Sequence, residues 1–233
     1  HRKLADKYGL APQSLSDIRA FLDDERHERF NRLIDARFPD HVLLELLSDF
    51  ETRNDINIRR LVTDNADVPT IFEYIVGIVW YKVSNRKGRI LDYFNLSLDA
   101  DLLPKTHAAG GMEDITYRYN ATPGYPEHTR QEAYALFVTP FLHLNVISDF
   151  RGRKQMPYYS SDGEQCINGM KIIPLNTAEL KNIIANSMTY DQLYPLFECA
   201  HQNNEPPKTW YENNIMRSLP VSYTHLTLPT SDL

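Results

Sequence analysis

The stretch that most restricts the fold is residues 68–84, with the sequence VPTIFEYIVGIVWYKVS. Pro69 suits the first turn of a helix. The apolar residues recur at helical spacing and cover almost the whole circumference of the predicted helix, namely Ile71, Phe72, Ile75, Val76, Ile78 and Val79. A helix that is apolar on nearly every side must lie in the protein interior, with other elements packed around it.

Glu73 interrupts the apolar surface of this predicted helix. A carboxylate inside a buried helix is costly unless it is paired or bound to a metal ion. The alternative is that Glu73 lies on a partly exposed face of the helix and is solvated there. Both interpretations stay open on the residues alone.

Helical spacings also predominate over residues 14–63, where Pro39 separates two predicted helices. After a loop, the residues Ile115, Tyr117 and Tyr119 alternate with polar residues, which is the period of a half-buried strand. This order predicts helices first and strands afterwards.

Two further strands are predicted downstream. Residues 133–141, AYALFVTPF, form a continuous apolar run typical of a central strand that is covered on both faces, and Pro140 ends it. Residues 169–175, GMKIIPL, predict another short strand. Helices with capping-box spacing follow, at Asn176 with Glu179 and at Thr189 with Gln192. The element order predicts an α/β or α+β layer fold with a helical amino-terminal part.

Composition sets broad limits on the function. The 233 residues suffice for one large domain, and 42% hydrophobic residues allow a sizeable core. The net charge of −6 does not suggest a free-standing nucleic-acid binder, although it does not exclude an active-site domain whose binding arm lies elsewhere. The longest apolar run, residues 71–81, is too short to span a membrane. Cys166 and Cys199 lack metal or redox spacing and fit a reducing compartment.

Carboxylates at predicted strand ends are the main candidates for chemistry. In residues 108–119, AAGGMEDITYRY, Asp114 stands at the mouth of a predicted strand, and Glu132 stands on or just before the next one. Together with Glu73 they would supply the hard oxygen ligands that Mg²⁺ prefers, and Mg²⁺ activates water in phosphodiester hydrolysis. The alternative is that Asp114 is a solvated turn residue, which spacing alone favours.

Three segments in this order resemble the AlwI-type restriction endonucleases, which include site-specific nicking enzymes and belong to the PD-(D/E)XK nuclease superfamily. They are PTIFEYIVGIVWYKVS, THAAGGMEDITYRYN and ALFVTPFLHLNVISDFRGRK. The resemblance covers roughly residues 40–217 and implies a mixed sheet flanked by helices. It also implies Mg²⁺-dependent cleavage of double-stranded DNA, with Glu73 and Asp114 as metal ligands. The resemblance further implies a cytoplasmic bacterial restriction protein. Such a protein would act with a second subunit or as a homodimer for double-strand cleavage.

The sequence departs from this family after Asp114. Such nucleases carry an E-x-K or E-x-T strand and a further helix there, whereas residues 124–129, GYPEHT, here run almost directly into the strand at 133–141. Glu132 and Tyr134 give only E-x-Y, a coincidental stand-in. We therefore expect an internal deletion and impaired cleavage. The alternative is a non-catalytic nuclease-like chain that binds DNA or a partner protein.

The resemblance also sets the expected domain organisation. Residues 1–64 would form a helical linker region, residues 65–217 the incomplete catalytic domain, and residues 218–233 a non-native or disordered tail. The family's amino-terminal recognition region has no counterpart here, and the chain starts at His1 rather than Met, so we expect a fragment.

Two basic loops are candidates for contacts with DNA phosphates, residues 85–89 (NRKGR) and residues 151–155 (RGRKQ). A solvated surface is the alternative for both loops. The sequence does not distinguish one loop from the other.

Overall fold

The computed structural model describes residues 15–92, 94–107, 134–159, 166–169 and 171–220. Within these ranges the chain forms eight α-helices and three two-stranded sheets. The predicted α+β class is therefore confirmed.

The amino-terminal part is helical, as predicted. Its helices are α1 (Leu15–Arg37), α2 (Asp40–Thr52), α3 (Asp55–Leu61) and α4 (Val68–Val83). Helix α4 is the apolar helix of the sequence analysis, and Pro69 lies in its first turn. Asp67 caps it, because the backbone N–H of Thr70 donates to Asp67 Oδ1 at 3.0 Å.

Helix α4 is buried on nearly all sides, which confirms the first prediction. Tyr74 is fully buried, packs edge-to-face against Phe30 and Phe38, and donates its hydroxyl to the carbonyl of Leu102 at 2.9 Å. The other buried positions are Thr70, Ile71, Ile75, Gly77, Ile78, Val79, Tyr81 and Val83. The helix is thus the centre around which the other elements pack.

The strands form three pairs. Strands β1 (Ser97–Leu98) and β2 (Pro104–Thr106) are antiparallel, as are β4 (Pro157–Tyr159) and β5 (Cys166–Asn168). Strands β3 (Ala135–Thr139) and β6 (Ile172–Asn176) are parallel, with Ala135 opposite Ile172 and Thr139 opposite Asn176.

Strand β3 is less covered than its sequence predicts. Among the described residues β6 is the only strand that pairs with it. The side chain of Phe137 is 42% exposed and contacts the ring of Phe150, with a centroid distance of 4.9 Å. The prediction that this strand is covered on both faces is therefore wrong, and its central position stays a prediction. A continuous apolar run fits a buried strand and a half-covered strand equally well, since burial depends on the neighbours.

Four helices complete the described fold: α5 (Leu144–Arg153), α6 (Thr177–Ala185), α7 (Tyr190–Gln202) and α8 (Pro207–Tyr211), the last followed by a π-helical turn at Glu212–Met216. The capping box of α6 is present, because Asn176 Oδ1 accepts from the N–H of Ala178 and Glu179 Oε2 accepts from the N–H of Asn176, both at 2.7 Å. At α7, Gln192 Oε1 accepts from the N–H of Thr189 at 2.8 Å.

The buried apolar residues form one continuous cluster that extends from Phe30 to Leu219. In the part of the chain that the structure describes, no helix combines the length and apolar character needed to cross a membrane.

Candidate functional site

Glu73 lies in the amino-terminal half of α4, and its side chain is half-buried. Its carboxylate oxygen Oε2 is shielded from solvent. Residues four and seven positions later on a helix share a face, so Glu73 lies on the side of Gly77 and Trp80. Glu73 thus lies on the least covered side of α4, where Phe72, Val76 and Trp80 are also half-buried.

Contacts of α2 connect the amino-terminal half of α4 with the carboxyl end of β6. The ring of Phe72 packs against Phe50 of α2, with a centroid distance of 4.9 Å. The next residue of α2, Glu51, accepts a hydrogen bond from Thr177 Oγ1 at 2.8 Å. Thr177 directly follows β6. The carboxyl ends of parallel strands are a common location for functional groups in α/β folds.

The other end of α4 lies near the start of β3. Trp80 stacks on Phe197 of α7, with ring centroids 6.4 Å apart, and Phe197 contacts Tyr134, with ring centroids 5.9 Å apart. Tyr134 directly precedes β3. Helix α4 therefore runs in the direction opposite to β3 and β6, and seven helical residues, about 10 Å, separate Glu73 from Trp80.

Asp114 and Glu132 lie outside the described residues, as does the predicted strand at residues 115–119. Among the described residues, no group of three or more His, Cys, Asp and Glu side chains is placed to hold a metal ion. The described part of the chain thus contributes Glu73 alone to the predicted metal site. A metal ion would need the other two carboxylates beside it.

The first basic loop, residues 85–89, is neutralised by carboxylates within the chain. Arg86 forms an ion pair with Asp35 of α1. The hydrogen bond from Arg86 is the main reason that the pKa of Asp35 lies below its ordinary value. Arg89 pairs with Asp24 of α1 and, at 3.1 Å, with Asp92. These two arginines attach the loop to α1 and are not available as free cations for DNA.

A polar cluster that the sequence analysis did not indicate joins the amino ends of β3 and β6 to α7. The hydroxyl of Tyr134 donates to Glu198 Oε1. Lys171 Nζ lies 3.2 Å from the same oxygen and 5.1 Å from the centre of the Tyr134 ring. Burial, and then the hydrogen bond with Glu198, raise the pKa of Tyr134. The hydrogen bond from Tyr134 is the main cause of the lowered pKa of Glu198.

No sequence signal indicates this cluster, because 64 residues separate Tyr134 from Glu198 and 27 separate Lys171 from Glu198. The three residues belong to no motif. Only the packing of α7 against β3 and β6 brings them together.

The AlwI restriction endonuclease family model matches this chain over residues 8–129 and 124–183. No curated protein and no solved structure matches the chain significantly. The two matched segments include α1 to α4, Glu73, Asp114, Glu132, β3 and β6. Because they extend over well above half of its length, the chain belongs to the AlwI restriction endonuclease family.

Proposed function

We propose that this chain is the catalytic part of a Mg²⁺-dependent, site-specific endonuclease that hydrolyses phosphodiester bonds of double-stranded DNA. Membership of the AlwI restriction endonuclease family carries this proposal. The position of Glu73 supports it, since a half-buried carboxylate on a buried helix is a reasonable metal ligand.

In this proposal Glu73, Asp114 and Glu132 hold the metal ion. Magnesium, when bound, lowers the pKa of a coordinated water and stabilises negative charge on the phosphate. The contribution of Glu73 is to present its carboxylate from a helix whose other sides are buried, which fixes the backbone at this position. Asp114 would supply the second oxygen ligand from the predicted strand end.

Glu132 is the weakest of the three proposed ligands. It precedes Tyr134 by two residues, and Tyr134 contacts Phe197 at the end of α4 that carries Trp80. Two residues span at most about 7 Å, whereas Glu73 lies about 10 Å along the helix from Trp80. Glu132 reaches Glu73 only if the chain before β3 turns back toward the carboxyl end of β6.

We further propose that cleavage is impaired by an internal deletion. The two family matches meet at residues 124–129, the place where the sequence lacks the expected E-x-T strand and helix. The exposure of Phe137 on β3 agrees with missing cover at this side of the sheet. Without complete and preorganised ligands, a metal ion is not held where charge develops in the reaction.

The same observations favour a second candidate, a non-catalytic nuclease-like chain that binds DNA or a partner protein. This candidate and an impaired nuclease differ in a single observable, which is residual metal-dependent cleavage. They can therefore be separated by one assay.

The assay incubates the purified chain with supercoiled plasmid and Mg²⁺, over long times and at high protein concentration. Slow nicking that requires Mg²⁺ and disappears in Glu73→Gln and Asp114→Asn supports an impaired nuclease. Asp101→Asn is the matched control, because Asp101 is an exposed carboxylate outside the proposed site. Equal behaviour of the wild type and both site variants supports the non-catalytic candidate. Fast cleavage at substoichiometric protein would contradict the impairment.

A further inference from the structure

Two cations of the second basic loop, residues 151–155, converge on one neutral acceptor. Arg151 and Lys154 both donate to the carbonyl oxygen of Asn203, and Lys154 Nζ lies 3.2 Å from it. Lys154 also donates to Asn204 Oδ1 at 2.9 Å. Asn203 is the C-cap of α7, so both charges lie at the negative end of a helix.

Neither of these cations has a carboxylate partner among the residues that the structure describes. Among the described residues, no Asp or Glu oxygen lies within 4.0 Å of Arg151 or Lys154, although Arg153 of the same loop pairs with Asp149 at 2.8 Å. The end of a helix offsets only about half an elementary charge. The pair therefore leaves a net positive charge at this position, in contrast to the neutralised arginines of the first loop.

His201 and the ion pair of Lys171 with Glu198 neither add to this positive charge nor cancel it. His201 lies in the last turn of α7, and Lys171 lies close enough to influence its titration. Burial, and then the charges of Lys154 and Lys171, lower the pKa of His201. The nearby carboxylate of Glu198 is engaged by Lys171 and Tyr134. The positive charge at this end of α7 is thus that of Arg151 and Lys154, on a chain whose net charge is −6.

Both cations are held in place and retain donors. The Arg151 guanidinium carbon lies 4.3 Å from the centre of the Trp210 ring, which fixes the side chain by a cation–π contact. A lysine ammonium has three N–H donors, and Asn203 and Asn204 accept two from Lys154. An anion that approaches this face meets two preorganised cations without displacing a salt bridge.

We propose that Arg151 and Lys154 together bind one phosphate group of the DNA backbone. The choice of DNA rests on the proposed function, whereas the site itself rests on the uncompensated cation pair. Both residues are half-buried at the surface, so a phosphodiester on a duplex can reach them. Charge-assisted hydrogen bonds from Arg and Lys to phosphate oxygens are the contacts that position proteins on DNA.

The alternative explanation is that the two cations only stabilise the end of α7. This explanation predicts that removing either charge lowers the melting temperature and leaves DNA affinity unchanged. A phosphate contact predicts a change in affinity and in its dependence on salt. A purely stabilising role therefore changes the melting temperature alone, whereas a phosphate contact changes the DNA affinity and its salt dependence.

The test measures binding of a labelled duplex by fluorescence anisotropy in EDTA, so that cleavage plays no part. Loss of one phosphate contact in Lys154→Gln should weaken binding about 3- to 10-fold and lower the slope of log K against log[NaCl] by about one. Arg153→Gln is the matched control, because it removes the same charge from the same loop but from a residue paired with Asp149. We expect it to change affinity less than about 2-fold, and Lys154→Arg to retain binding.

Equal affinity of the wild type and Lys154→Gln, including no binding by either, overturns the proposal. An equal loss in Arg153→Gln also overturns it, since the effect would then be one of general charge. Inorganic phosphate at the same ionic strength should displace the duplex from the wild type better than chloride does, because it competes for Arg151 and Lys154, and this preference should be lost in Lys154→Gln. Binding of inorganic phosphate that depends on Lys154 but does not displace the duplex would assign the site to free phosphate instead of DNA. If the affinity changes are observed but the chain does not cleave plasmid DNA, the proposed catalysis is wrong and the proposed phosphate contact stands.

Discussion

Trp80 of α4 and Phe197 of α7 stack with their ring planes 12° apart and their centroids 6.4 Å apart. This contact joins the central buried helix to the helix that ends at the cation pair. Phe197 also contacts Tyr134 at the start of β3. One aromatic side chain thus connects α4, α7 and the strand pair.

Phe197→Ala should destabilise the fold strongly. Phe197 is 2% exposed, and truncation of a buried Phe removes transfer free energy and leaves a cavity, at a cost of about 3–5 kcal/mol. Urea denaturation followed by circular dichroism measures the change in the free energy of unfolding. Met156→Ala is the control, because Met156 is 61% exposed and should change this free energy by less than about 0.5 kcal/mol. Equal stabilities of the two variants would contradict the assigned packing.

Glu179 should make the stability depend on pH in a defined direction. Glu179 is 2% exposed, and burial is the main cause that raises its pKa above the ordinary value of 4.5, with hydrogen bonds from Asn176 and Tyr211 acting in the opposite direction. A raised folded-state pKa means that the folded protein binds the proton more tightly than the unfolded chain. Its contribution is therefore fully present below about pH 4.5 and is lost as the pH rises through the folded pKa.

The comparison with Glu179→Gln isolates this contribution, since the other titrating groups are common to both proteins. The free energy of unfolding of the wild type, minus that of the variant, should fall as the pH rises from 4.5 toward neutrality. Urea denaturation at several pH values provides both numbers. A difference that is constant or that rises with pH would show that the carboxyl pKa is not raised.

The carboxyl groups of Glu73 and Asp114 should lie within roughly 4–8 Å of each other if they share a metal cluster, because Mg²⁺–oxygen distances are about 2.1 Å and paired ions lie about 4 Å apart. A crystal structure grown with Mg²⁺ or Ca²⁺ measures this separation. Calorimetric titration with Mg²⁺ should show weaker binding in Glu73→Gln than in Asp101→Asn. A separation of the two carboxyl groups above about 12 Å would rule out a metal cluster that both residues share.

Removal of residues 221–233 should leave the melting temperature unchanged. Pro220 and Pro229 disfavour a continuing helix, and the segment has no amphipathic match to what precedes it. Truncation after Ser218 is the control, because it also removes Leu219, which is 2% exposed, and Pro220, whose carbonyl accepts a hydrogen bond from Asn186. This longer truncation should lower the melting temperature. A large drop in the shorter truncation would mean that the tail packs on the fold.

The sequence predicted the features that depend on neighbours within a turn or a strand. The burial of α4 followed from its apolar circumference, and the caps at Asn176 and Thr189 followed from residues three positions apart. Strand β3 was located correctly, with Pro140 just beyond its end. Glu73 was recognised because a carboxylate on an apolar helix is unusual, and its role with Asp114 and Glu132 stays a prediction.

The tertiary structure alone decided which apolar run is covered and which basic loop is neutralised. Phe137 is 42% exposed on one face of β3, and the apolar sequence of that strand is the same whether or not this face is covered. Arg89 is neutralised by Asp24, which lies 65 residues earlier, whereas the hydrogen-bond acceptors of Arg151 and Lys154 among the described residues are a carbonyl and an amide at the end of α7. Periodicity and capping are local, but burial and charge compensation depend on side chains that only packing brings together.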